Sequence, residues 1–257
     1  MLLTIDIGNT QAALGMFDGD ELIGHWRVST DVTKTFDELR WQLTGILGAD
    51  GFTQDDINGL CVSSVVPSIT GTVRRVAPHV VSGDVIVVEP GVRTGMSIEI
   101  DNPREVGADR IVNSVAARAR YDTPVIVVDF GTSTNFDVVG PTGAYLGGAI
   151  APGLEIATNA LVSGTAALRN VEFTPPRSVI GKGTVEAIQS GAVFGHAGLV
   201  DGIVERTAAE FEMDVTRVAT GGLAPTIVPH CDSVDTIDPY LTLEGLRIIY
   251  DLNQEAP

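Results

Sequence analysis

Met1-Leu2-Leu3-Thr4-Ile5-Asp6-Ile7-Gly8-Asn9-Thr10 opens the chain, and the fold turns on how it is read. Leu2 to Ile7 is a short apolar run stopped by Gly8-Asn9-Thr10; Ala12 to Phe17 and Glu21 to Val28 then flank the turn Asp18-Gly19-Asp20. Runs of this length, broken by Gly, Asn and Asp, predict three consecutive antiparallel strands. The tight turn after Asp6 therefore joins two strands, which excludes a phosphate loop of the strand-to-helix type.

The pattern restarts at Pro124. Val125 to Val128 is a strand stopped by Asp129-Phe130-Gly131-Thr132, followed by strand-like Phe136 to Val139 and Tyr145 to Ile150. An offset of 123 superposes Asp6 on Asp129, Gly8 on Gly131 and Gly24 on Gly147. Strand, Asp-x-Gly, strand, turn, strand in both halves predicts a duplicated architecture. Between the halves, Phe36, Leu39, Leu43, Ile46 and Leu47 recur at helical spacing, Leu60 to Val66 and Val85 to Val88 read as buried strands, and a helix is expected over about Asp109 to Tyr121.

With 257 residues the chain exceeds the usual size of one core. The expected division is a first lobe over 1–122, with a C-terminal helix in 240–257 packing back on it, and a second lobe over 123–239. The 33 acidic and 16 basic residues give a net charge of −17, a sign that repels nucleic acid and anionic lipid. An anionic nucleotide would have to be received by backbone amides and metal ions instead. Cys61 and Cys231 form no Cys-x-x-Cys pair, which fits a reducing compartment. Asp6 interrupts the apolar N-terminus, which reads as a buried strand and not as a signal peptide or membrane span.

Four groups could carry chemistry. In Asp6-Ile7-Gly8-Asn9-Thr10, Gly8 lets backbone approach a phosphate, amides and side chains donate to it, and Asp6 can hold hydrated Mg²⁺. Alone, the motif reads as an ordinary tight turn with a capping aspartate. Asp129-Phe130-Gly131-Thr132-Ser133-Thr134 repeats it, and two facing hairpins of this kind can grip a triphosphate. Thr220-Gly221-Gly222 follows an apolar strand and can lie flat against a base or ribose, or simply begin a helix. Pro103 and Gly107 shape a loop that presents Asp109 and Arg110 at a helix start. An aspartate so placed can accept the proton of an alcohol being phosphorylated, and an arginine can bind a carboxylate. The plainer reading of that pair is a helix cap and its salt-bridge partner.

From Thr184 to Phe211 runs a long helical stretch on which Gly191, Gly195, Gly198 and Gly202 fall on or near one face. Each glycine costs helix stability roughly 1 kcal/mol against alanine, so close approach of another helix or of a second copy is expected there. The four histidines show no metal-ligand spacing.

Taken together, Asp6-x-Gly8-Asn9-Thr10, Gly107-x-Asp109-Arg110, Asp129-Phe130-Gly131-Thr132, Gly147-Gly148-Ala149-Ile150-x-Pro152-Gly153, Ile180-Gly181-Lys182-x-Thr184 and Thr220-Gly221-Gly222 resemble the type III pantothenate kinases, in family order and over nearly the whole chain. The resemblance implies an α/β fold of two ribonuclease H-like (actin-like ATPase) lobes, each with a mixed sheet, and a nucleotide cleft between them. It implies phosphorylation of pantothenate by ATP, the first step of coenzyme A synthesis, in the cytoplasm. Asp109 would then be the catalytic proton acceptor. Asp6, Ile7, Gly8, Asn9, Thr10, Gln11, Ala12, Ala13, Thr132, Gly221 and Gly222 would contact ATP. Gly107, Ala108, Asp109, Arg110 and Thr184 would surround pantothenate. Asp129 would hold a monovalent cation (K⁺ or NH₄⁺), with Mg²⁺ at Asp6 through water, and Thr184 would reach the site across a homodimer. Gly183 and Asn135 stand where the family more often has an asparagine and a small or hydroxyl residue. Two other readings stay open: a kinase-like accessory protein of the same family, and another small-molecule kinase on the same fold.

Overall fold

The computed structural model describes residues 1–165, 168 and 170–254. The chain divides into two units: Met1–Met96 with Asn102–Ala116 and the stretch from Thr242 onward, and Ser97–Asp101 with Ala117–Leu241.

The first unit opens with strands β1 (Leu2–Ile7), β2 (Gln11–Asp18) and β3 (Glu21–Ser29), then helix α1 (Phe36–Ala49), β4 (Gly59–Ser64), helix α2 (Pro67–Val76) and β5 (Asp84–Val87). Its sheet runs β3-β2-β1-β4-β5. The three N-terminal strands pair antiparallel, as their tight turns demand, while β4 and β5 join in parallel through helical crossovers. Alternation along β1 and β2 sends Leu3, Ile5, Leu14 and Met16 to one face, where they form a core with Leu43 of α1 and Val73 of α2. A capping box starts α1: Glu38 N–H reaches the Thr35 side chain, and the Glu38 carboxylate accepts from Thr35 N–H at 2.8 Å.

Helix α3 (Ala108–Arg120) starts in this unit. Helix α7 (Leu241–Gln254) packs onto it so closely that a Cβ on Gly245 would sit 2.1 Å from the Val112 carbonyl oxygen. The Thr242 hydroxyl donates to Asn113 Oδ1 at 2.6 Å, and the Tyr250 ring covers Gly59 of β4.

The second unit repeats the plan with β6 (Val125–Phe130), β7 (Ser133–Val139), β8 (Tyr145–Pro152), helix α4 (Leu154–Ser163), helix α5 (Thr184–Ala208), β9 (Thr216–Thr220), the short helix α6 (Ala224–Ile227) and β10 (Thr236–Ile237). Read from β8, the order β8-β7-β6-β9-β10 matches β3-β2-β1-β4-β5, with the same two antiparallel and two parallel pairings. The duplication expected from the two Asp-x-Gly stretches is thus present in the topology. Ile126, Val128 and Phe136 of the sheet meet Val193 and Val200 of α5 in its core.

One finding differs from the sequence reading, which assigns no helix to α2 or α4, although Ile69, Val73 and Val76 of α2 fall at helical spacing and pack in the core. Of the two neighbours expected for the glycine face of α5, another helix or a second copy, the described residues of the chain supply none at three positions: Gly191, Gly195 and Gly198 are exposed, and a Cβ on any of them would meet nothing within 4 Å.

Candidate functional site

Hairpin 1 is the turn Gly8–Thr10 that joins β1 to β2. Asp6 pairs with Ala13 of β2 and Ser63 of β4, and the Ser63 hydroxyl donates to Asp6 Oδ1 at 2.6 Å, fixing the half-buried carboxylate. Gly8 N–H closes the turn on the Gln11 carbonyl at 3.0 Å, leaving Asn9, Thr10 and Gln11 exposed. Ile7 and Ala12 turn their side chains into the first core, so only their backbone could serve a ligand.

Hairpin 2, Gly131–Ser133 between β6 and β7, is one residue tighter: Gly131 N–H bonds the Ser133 carbonyl at 3.0 Å. The Ser133 hydroxyl donates to Asn135 Oδ1 at 2.9 Å, so the amide at this unusual position braces the turn. Beneath it, Thr134 Oγ1 lies 2.9 Å from Nε2 of His196 on α5, both buried. Burial holds His196 below the usual histidine pKa, which makes it a neutral core partner and not a cation. Gly221, with φ of 93°, presses against the same hairpin: a Cβ there would fall 2.6 Å from Asp129 Oδ1 and from the N and O of Phe130. The strand pairing of Asp129 with Thr220 brings them together.

Asp109 stands in the first turn of α3, one of the expected outcomes for the Gly107-Ala108-Asp109-Arg110 stretch. Its Oδ1 accepts from the Arg110 N–H at 2.9 Å. Burial pushes the Asp109 carboxyl above the ordinary range, against the lowering pull of that N–H and the Arg110 charge. A proton acceptor with a raised pKa is better matched to neutral pH than an exposed aspartate. Gly107 explains itself here: a Cβ on it would lie 2.4 Å from Asp109 Oδ1. Gly107→Ala is therefore expected to push the Asp109 carboxylate aside.

Thr184 is the first residue of α5 and is exposed, while Gly181 before it lies against the α5 backbone, 2.4 Å from Ala187 N at its Cβ position. Asp6, Asp109 and Arg110 thus belong to the first unit, and Asp129, Thr132, Thr184, Gly221 and Gly222 to the second. Among the described residues, no three His, Cys, Asp or Glu side chains cluster as a metal cage. Mg²⁺ suits such a setting when it keeps its waters and takes one carboxylate plus substrate phosphates, and Asp6 on its hairpin fits that pattern.

The sequence matches the family model "Type III pantothenate kinase" over residues 2–206. The chain belongs to the type III pantothenate kinase family. It is 52% identical over 256 residues to a type III pantothenate kinase of Parafrankia sp. (strain EAN1pec), covering 99% of both chains. In fold this type III kinase family member is similar to the inorganic polyphosphate/ATP-glucomannokinase of Arthrobacter sp. strain KM (TM-score 0.53, 16% identity, 98% and 99% covered). It is also similar to a Campylobacter jejuni chain assigned to the Baf family of transcriptional activators (TM-score 0.61, 18% identity, 98% of each covered). Identities this low speak to the fold alone.

Proposed function

We propose that this protein transfers the γ-phosphoryl group of ATP to the primary hydroxyl of pantothenate, giving 4'-phosphopantothenate and ADP in the first step of coenzyme A synthesis. The carrying observation is family membership along nearly the whole chain together with Asp109 held in the first turn of α3 with a raised pKa. The bond from γ-phosphorus to the β-phosphate bridging oxygen breaks, the bond to the pantothenate oxygen forms, and Asp109 takes the hydroxyl proton. Arg110 and Gly107 receive pantothenate beside that carboxylate. Hairpin 1 offers amides and the Asn9 and Thr10 side chains to phosphate; hairpin 2 does so through Thr132, with Asp129 holding K⁺ or NH₄⁺; Gly221 and Gly222 take the adenosine. Bound Mg²⁺ would neutralise the phosphate charge that a chain of net charge −17 otherwise repels.

An acceptor panel tests this. Coupled ADP release should appear with pantothenate and not with glucose, N-acetylglucosamine or polyphosphate. Release with a sugar and not with pantothenate would overturn the assignment. Replacing K⁺ by Na⁺ should lower the rate, and Asp129→Asn should abolish that difference.

The working unit we propose is a homodimer in the cytoplasm. The exposed stripe Ala187, Gly191, Gly195 and Gly198 on α5 supports this, with Val179, Ile180 and Val185 exposed around the helix start. Bare helix surface of this kind suits close packing against a second copy, and would bring Thr184 to the partner's site. Both cysteines are free thiols, as in a reducing compartment. Gly195→Glu should leave the fold intact, since nothing lies within 4 Å of the new Cβ. Light scattering should then report a monomer; an unchanged dimer would remove this face from the interface.

A further inference from the structure

At its β1 end hairpin 1 is held by β4, where the Ser63 hydroxyl bonds Asp6 and the Val65 N–H donates to the Ile7 carbonyl at 3.1 Å. Ile7 and Ala12, near its two ends, are buried in the first core and with Val28, Leu39 and Ile69 line a pocket open to solvent. Thr30, just past the end of β3, lines the same cavity and makes two bonds to the turn. Its N–H donates to the Thr10 carbonyl at 2.9 Å, and its hydroxyl donates to the Gly8 carbonyl at 2.8 Å.

A trans peptide is planar, with its C=O and the following N–H pointing in opposite directions. Drawing the Gly8 and Thr10 carbonyls toward Thr30 therefore turns the Asn9 and Gln11 N–H groups away from it. Oriented amides in a turn are what an anionic phosphate needs, and their value lies in being aimed before the ligand arrives.

The second unit solves the same problem differently. There the residue corresponding to Thr30 at the 123-residue offset is Gly153, next along β8 after the Ser133–Pro152 pair. It has no hydroxyl, and its Cα lies so close that a Cβ would fall 2.2 Å from the Thr132 carbonyl oxygen and 2.8 Å from that of Gly131. At this one position hairpin 2 meets the Gly153 backbone in close contact, where hairpin 1 receives the Thr30 hydroxyl.

We propose that Thr30 is a positioning residue for ATP: through Gly8 and Thr10 it aims the amides of hairpin 1 at the nucleotide's phosphates. This rests on hairpin 1 being a phosphate site, so the experiment carries its own control. Full-length Thr30→Val, Thr30→Ser and Asp6→Asn would be compared with the unmodified protein for KM of ATP, KM of pantothenate, kcat and melting temperature. Valine keeps the shape of threonine and removes only the hydroxyl. The loss of one such bond should raise KM for ATP about five- to tenfold. KM for pantothenate and the melting temperature should hardly move, and serine should restore KM for ATP to within about twofold. Wild-type KM for ATP in Thr30→Val overturns the proposal, as does a rise in both KM values with a lower melting temperature that serine does not restore. Asp6→Asn separates the two levels: normal use of ATP in that variant sinks the phosphate-site reading itself, whereas impaired use alongside a silent Thr30→Val sinks only Thr30.

Discussion

Asp109→Asn is expected to lower turnover about 10²–10⁴-fold, the usual contribution of a positioned general base, while ATP still binds. The substitution keeps the size of the side chain and its place beside Gly107, so the loss would be one of proton acceptance. Stability should move the other way. Burial holds the folded-state pKa above the unfolded one, so the stability linked to this group is present below the unfolded pKa and is lost as pH rises through the folded value. Wherever Asp109 is ionised it is then a cost to folding, and the asparagine variant should melt at the same temperature or higher. A catalytic loss accompanied by a clear fall in melting temperature would point instead to a structural helix-start aspartate. The same shift places the acid limb of kcat/KM above the ordinary carboxylate range, which a pH profile of the unmodified protein can check.

Gly221→Ala should have the second largest effect, and it should fall on ATP and on stability together. The backbone there has φ of 93°, a conformation that costs a side chain on the order of 1–3 kcal/mol. The new Cβ would also strike Asp129 Oδ1 and both backbone polar atoms of Phe130, at 2.6 Å each. Two of those atoms are main chain and cannot swing aside, so the start of hairpin 2 must shift. The expected results are a melting temperature lower by several degrees, a raised KM for ATP and a weakened response to K⁺. An alanine variant with native melting and native ATP kinetics would show that the Gly221–Asp129 contact is dispensable.

The parts of this molecule that could be read from sequence were local. β1, β2 and β3 announce themselves through runs of apolar residues cut by Gly8-Asn9-Thr10 and Asp18-Gly19-Asp20, and β6 to β8 through the same device. The parts that could not were set by distance along the chain. Gly221 reads in sequence as a place for a base or ribose, or as a helix start, and its contact with Asp129 emerges only when strand pairing brings Thr220 beside that residue. Thr30 lies beyond the strand expected over Glu21 to Val28 and gains a role only when β3 returns it to Gly8, 22 residues earlier. Superposing the halves on Asp6 and Asp129 also hides that hairpin 2 is one residue tighter, since a single offset cannot register an insertion within a turn. The glycines of α5 are legible in another way: their sequence calls for another helix or a second copy close by, and among the described residues nothing lies within 4 Å of a Cβ on Gly191, Gly195 or Gly198.

The most direct measurement is the product balance of the purified protein with Mg-ATP, K⁺ and pantothenate, quantifying ADP and phosphorylated pantothenate in the same samples. The expected result is one 4'-phosphopantothenate per ADP, with both absent when pantothenate is left out. ADP formed without phosphorylated pantothenate, or no ADP formed at all, would contradict the assignment.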